Sequence, residues 1–228
     1  MTAGYDETLA YLEGRYLAHD RLADAAGLTP ERLDTLIEAG LTPGPSHVAT
    51  FALTVEAVIN GAHETTPKRV RYFHRDLVET VREADALARD VGPEPAVAAL
   101  RERHDRAVAA EAGLAAGSPE HAALCERAWT HWRSGTHGVC LQRFDAASMI
   151  RKVLATERMQ QALSAAAEGR PVDRADLADA AARYASVTGP FGPHERDGST
   201  RARIYEPALA LLARLQAEDQ APILTTAG

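Results

Sequence analysis

Apolar positions along the chain recur mostly at three- and four-residue spacing, and capping residues, prolines and glycines interrupt them at intervals. That periodicity with that punctuation predicts a succession of helices. Asp20 can cap a short helix that runs to Gly27. Thr29 and Pro30 then supply a cap and a first-turn proline before Leu33, Leu36 and Ile37, and Gly40 closes the segment. After a loop with Pro43 and Pro45, residues 48–59 read equally as a buried helix or a pair of strands. Thr66 and Pro67 open a longer predicted helix whose Val70, Phe73, Leu77 and Val81 fall at helical spacing, ending before Gly92 and Pro93. Tyr72, His74 and Arg75 on it read as surface, with His74 a proton acceptor only where a pocket reaches it. A further helix covers 95–112, with Val97, Leu100 and Val108 on one side.

Ser118, Pro119 and Glu120 form another cap, proline and acidic first turn. The helix they start carries Leu124, Cys125, Ala128, Trp129 and Trp132 and stops at Gly135. Residues 136–144 alternate in part and are the best candidate for a short strand. Asp145 and Asp173 cap two more helices, and a glycine- and proline-containing loop over 188–198 leads to a terminal one, in which Pro207 marks either a kink or the true start. The expected fold is mostly α: a helical bundle-like domain with a helix-turn-helix-like N-terminal segment and at most a small β-element near 136–144. A division into 1–66 and 67–228 is one reading and a single continuous domain the other, since neither 61–67 nor 113–118 is long enough for a flexible linker.

Composition narrows the function classes. The 228 residues carry 32 acidic and 25 basic side chains, and a net charge of −7 makes a poor non-specific DNA binder. Aromatics are only 5%, which disfavours sandwiches and barrels. Lys68 and Lys152 are the only lysines, an arginine bias of the kind GC-rich coding produces. No signal peptide and no apolar run of about 20 residues is visible, and with only Cys125 and Cys140 a disulfide scaffold is not expected. The expectation is a cytoplasmic chain with reduced thiols and no membrane partner.

Three groups of residues could carry chemistry. Residues 20–47 have the layout of a helix-turn-helix and look like the opening of MerR-type regulators. Their second helix, however, offers Arg32 against Glu31, Asp34 and Glu38, so it suits scaffold better than phosphate contact. His121 with Cys125, and His137 with Cys140, provide two nitrogens and two sulfurs at a spacing open to a structural zinc site; the alternative is a buried, apolar Cys125 and no metal. Cys140 with His137 is also a candidate nucleophile and base, though residues three apart on a strand face opposite ways. Finally, Arg143, Arg151 and Lys152 flank or enter the first turns of the helix capped by Asp145, where cations oppose the helix dipole, so a bound anion would account for them. Arg196, Ser199, Thr200 and Arg201 gather where a glycine-containing loop meets a helix, a second setting for an anion. Solvated salt bridges are the alternative for both sets.

The run W-R-S-G-T-H-G-V-C-L-Q-R from Trp132, followed by D-A-A-S-M-I-R-K, resembles an actinobacterial family of unknown function described as natural-product-biosynthesis proteins. More loosely, the chain is similar to the aziridine-forming proteins of azinomycin-type pathways, which close a three-membered ring by an amine displacing sulfate on a carrier-linked amino acid. The resemblance implies an enzyme without a cofactor acting on an anionic, amino-acid-derived intermediate, with an amino-group carrier protein, a partner subunit or a second copy as companion; the alternatives are a MerR-like DNA-binding regulator and a non-catalytic partner subunit of a biosynthetic enzyme. Under it, Arg143, Arg151, Lys152, Trp132, Ser199 and Arg201 would bind substrate, and His137, His131 and Cys140 would be the catalytic candidates.

Overall fold

The computed structural model of the chain describes residues 4–59, 61–115 and 117–220. Its elements, in chain order, are α1 (Tyr5–Arg15), β1 (Tyr16–Ala18), α2 (His19–Ala26), α3 (Pro30–Glu38), β2 (His47–Phe51), β3 (Thr54–Ala57), β4 (Gly61–Glu64), β5 (Lys68–His74), α4 (Leu77–Val91), α5 (Pro93–Ala112), α6 (Pro119–Arg133), a 3-10 turn at Thr136–Val139, α7 (Ala146–Ala167), α8 (Arg174–Val187), a π-turn at Arg201–Tyr205 and α9 (Glu206–Gln220). The protein is mostly helical, with a small antiparallel sheet region.

Most helix starts lie where the caps predict them. Thr29 accepts from the Arg32 amide at 3.2 Å, Ser118 from that of His121 at 3.1 Å, Asp145 from that of Ser148 at 2.7 Å and Asp173 from that of Asp176 at 3.0 Å. Each bond satisfies an amide that the first turn would otherwise leave bare. Asp20 is not a cap but sits inside the first turn of α2, whose N-cap is Ala18. Helix α1, which the sequence pattern does not announce, is weakly amphipathic and buries only Leu12. The terminal helix α9 begins at Glu206, so Pro207 marks its start, and the chain widens into the π-turn just before it.

The helix predicted from Pro67 to the residue before Gly92 is instead a strand, β5, running into a helix, α4. β5 is the centre of a three-stranded antiparallel sheet of order β1–β5–β2, with Val70 opposite Ala49 and Tyr72 opposite both His47 and Ala18. Aromatic and β-branched residues suit that half-buried position. Alternation sends Phe73 into the main core and Tyr72 into a smaller cluster with Leu12 and Tyr16, so Tyr72 and His74 are buried, not surface. Residues 48–59 do hold two strands, yet these pair with other partners: β2 with β5, and β3 with β4 in an isolated ribbon. Leu53, Val55, Val58 and Ile59 on and beside that ribbon are exposed.

The strand expected over 136–144 is also replaced. Gly135 has φ +72° and turns the chain into the 3-10 turn, leaving one β-bridge, Leu141 to Thr188. The turn lies backbone to backbone on the loop before β2: the Gly44 amide donates to the Arg133 carbonyl at 2.7 Å, and a Cβ on Gly135 would stand 2.3 Å from the Gly44 oxygen.

The main core joins α2 to α6, β5, residues 140–144 and the first turns of α7, and a second cluster joins the rest of α7 to α8 and α9. The 22-residue α7 serves both, through Met149 and Ile150 on one side and Ala155 and Met159 on the other.

Gly135→Ala tests the close approach. Gly169 has a similar φ of +69° with nothing within 4 Å, so Gly169→Ala reports the backbone cost alone, about 1–2 kcal/mol. Urea denaturation of Gly135→Ala should show a further loss of about 1–3 kcal/mol from overpacking. Equal losses in the two variants would show that the contact carries no stability.

Candidate functional site

The segment held by that contact delivers Cys140 to the first turns of α7. The Asp145 cap sets the phase of α7, placing Ser148, Met149, Ile150 and Lys152 inward. Lys152 is 8% exposed, and its Nζ donates to Cys140 Sγ at 2.8 Å. Among the described residues no carboxylate pairs with Lys152. A buried ammonium without a counter-charge is costly, so this one is a feature the fold must support from elsewhere. Cys140 also directs its thiol toward the His137 carbonyl at 3.6 Å. Burial, followed by the nearby sulfur of Cys140, pushes the Tyr184 phenol up, and its hydroxyl is buried without a hydrogen-bond partner.

His137 lies on the other flank. Burial, then the charges of Lys152 and His131, push its imidazole down to about 3, so it is neutral at physiological pH. Its Nε2 is 3.3 Å from Nδ1 of His131, which is exposed. The two imidazoles form one edge of a cleft of about 230 Å³, walled by Leu124, Ala128, Met149 and Ile150, with Arg127 and Glu157 also lining it. The sequence-predicted His131, His137, Cys140 and Lys152 are thus brought together, with His131 facing solvent and the thiol–ammonium pair buried.

The other predicted residues do not join them. Arg143 is 81% exposed and 3.6 Å from Asp145. Arg151 is engaged at both ends of its fork by Glu111, at 2.8 and 2.7 Å, in the groove between α5 and α7. The three cations expected to converge therefore diverge, because Arg143 and Arg151 each have an acid beside them while Lys152 turns inward. Trp132 stacks on Trp129 at 4.7 Å and lines a different cleft with His104 and Phe144. Ser199 is a local cap whose hydroxyl donates to the Arg196 carbonyl at 2.6 Å and accepts from the Ala202 amide at 3.2 Å. Arg201 lies over the Tyr205 ring at 5.0 Å and reaches the Thr188 hydroxyl at 3.5 Å. It lines a cleft of about 430 Å³ with Phe191, Arg196 and Glu206.

The four-residue zinc arrangement is not formed. His121 Nε2 does meet Cys125 Sγ at 3.3 Å on α6, but Cys140 is engaged by Lys152 and His137 by His131. Among the described residues, the grouping with metal-ligand geometry is His47, His194 and Glu195, bordered by Tyr11 and Tyr16. Sequence spacing gave no signal for it: residues 47 and 194 meet only because the loop over 188–198 folds back across α1 and β2. Gly189 and Gly192 permit that approach, since a Cβ on either would fall within 2.7 Å of Arg15 or of Tyr11 and His194.

A mostly helical protein that buries a lysine against a cysteine, behind a pair of histidines, is the class these observations define. The chain belongs to the family of unknown function DUF6058, whose model matches residues 95–211 and so takes in the whole Cys140–Lys152 cluster. No curated protein and no solved structure matches the chain. Among the described residues no helix is long and apolar enough to cross a membrane.

The lowered His137 has a measurable consequence. Between its unfolded value near 6.5 and its folded value near 3, the unfolded state holds one proton more than the native state. Stability therefore rises with pH across that window and is lost as the pH falls through it. From about pH 6 to about pH 4.5, urea denaturation should show the wild type losing about 1.4 kcal/mol per pH unit more than His137→Gln. Parallel curves for the two proteins would show that His137 is not held neutral.

Proposed function

We propose that the chain is an enzyme of natural-product assembly that uses its own side chains on a small anionic, amino-acid-derived intermediate. One observation carries the reading: Lys152 is a buried cation whose partner is a sulfur rather than a carboxylate. Its charge is felt at His137, which lines the cleft, and a low-dielectric site makes its pull on developing negative charge large. The finer reading is ring closure with loss of sulfate. The amine nitrogen attacks the carbon that bears the sulfate ester, the C–O bond breaks, and sulfate departs with the electron pair toward Lys152. The proton lost from nitrogen passes to His131, the solvent-facing imidazole, while His137 stays neutral between them. Leu124, Ala128 and Ile150 hold the carbon chain in line for displacement. Cys140 is a positioning residue that aims Lys152.

An amino-group carrier protein or a partner subunit is the proposed companion that presents the intermediate. A DNA-binding reading finds no such support, because Arg32, the sole cation of α3, donates to Asp85 at 2.7 Å.

The test follows sulfate release and the cyclic product by mass spectrometry, using an amino acid with a sulfate ester on the carbon next to the amine-bearing one, carrier-linked and free. Wild type should turn it over; Lys152→Met should lose about 10²–10³-fold in kcat, and Arg143→Ala should match wild type. No turnover by wild type, or full turnover by Lys152→Met, overturns the proposal.

A further inference from the structure

The polar cluster between β2 and the loop over 188–198 is distinct from the cleft edged by His131 and His137 and plays no part in the chemistry above. His47 enters from the first residue of β2, opposite Tyr72, and its side chain is 9% exposed. His194 and Glu195 come from the loop. Glu195 Oε1 is 2.8 Å from His47 Nε2 and 3.8 Å from His194 Nε2, and one donor atom from each residue lies within 4.8 Å of the others. The second carboxylate oxygen accepts from the Gly192 amide at 3.3 Å, which fixes how the acid faces the imidazoles.

The protein's own contacts leave this group under-satisfied. His47 Nδ1 is buried with no hydrogen-bond partner, and His194 makes only a long approach to the acid. The loop is nevertheless pressed in tightly: a Cβ on Gly192 would be 2.7 Å from both His194 Cε1 and Tyr11 Cε1. A glycine is thus used to bring one imidazole beside the other, which neither packing of apolar groups nor a single His–Glu bond requires.

We propose that His47, His194 and Glu195 form a binding site for a divalent transition metal of the zinc class. Two imidazoles and one carboxylate are a donor set that suits zinc, with metal bonds of about 2.0–2.2 Å that put donor atoms about 3.3 Å apart. The observed separations bracket that value, so closing on an ion needs shifts within about 1 Å of side-chain motion. Three protein donors leave one position of a tetrahedron open to water or a ligand. The rings of Tyr11 and Tyr16 wall the cluster beside His194 and His47, with their hydroxyls 3.1 Å apart. The bound ion would pin the loop to β2, joining the C-terminal part of the chain to the sheet.

The experiment uses the full chain stripped with a chelator and titrated with zinc by calorimetry and with cobalt by visible spectroscopy. One ion per chain should bind, with the intense visible bands of four-coordinate cobalt and a rise in thermal midpoint. His194→Ala, at an exposed position, should weaken zinc by more than the roughly 10–100-fold typical of losing an outer-sphere partner, and Glu195→Gln should do likewise. His121→Ala, which removes the separate imidazole–thiol pair on α6, should bind as wild type does. No binding by wild type overturns the proposal. So does one-to-one binding that survives His194→Ala and Glu195→Gln or disappears with His121→Ala.

Discussion

The architecture depends on two stretches of bare backbone meeting. Where α6 ends, Gly135 turns left-handed and rests its peptide on Gly44, so closely that a methyl group has no room. Gly138, one turn on, leaves room for the Ser46 side chain. Most tertiary contacts in a helical protein are made by side chains that can adjust by ångströms; this one cannot. It fixes the path of residues 136–141, and that path decides which groups Cys140 and His137 meet. Tyr16 reinforces it from the sheet side by donating to the Gly138 and Val139 carbonyls at 3.3 and 3.1 Å.

Around this fixed segment, much of the charge follows a simple pattern, and Lys152 departs from it. Many of the arginines lie beside an acid: Arg32 and Arg89 with Asp85, Arg101 with Asp105, Arg151 with Glu111, Arg158 with Asp176 and Asp179. Most of these pairs are at least partly solvated and contribute little stability each. They do keep the guanidinium groups occupied. Lys152 breaks the rule by going inside, where its neighbours are a sulfur and a neutral imidazole. Exceptions to an otherwise consistent pattern are where function tends to reside.

How much was legible in the sequence follows from how local each signal is. Thr29, Ser118, Asp145 and Asp173 act on amides three residues away, so their helices could be read directly. Val70, Phe73 and Leu77 misled because a strand entering a helix imitates the three- and four-residue spacing of a helix, and only the pairing partners Ala49 and His47 reveal the strand. The same limit applies to the site. His137, Cys140 and Lys152 lie within sixteen residues, and a close sequence reading could nominate all three. It could not show that Arg151, adjacent to Lys152, points away to Glu111 on another helix. His47 and His194 are joined solely by the fold, and a chain read residue by residue holds no trace of their meeting.

The ribbon formed by β3 and β4 has a different standing from everything else. Its strands bond only to each other, and the chain enters and leaves it side by side, with the Thr65 amide and hydroxyl both donating to the Leu53 carbonyl at 3.0 and 3.1 Å. An isolated two-stranded hairpin has marginal stability of its own. Because its two roots already touch, a short reverse turn could replace it without displacing either neighbour, and lengthening it would add only the slowly growing entropy of a longer loop. The ribbon is therefore a place where this chain could lose or lengthen a whole element while the helical body stays as it is.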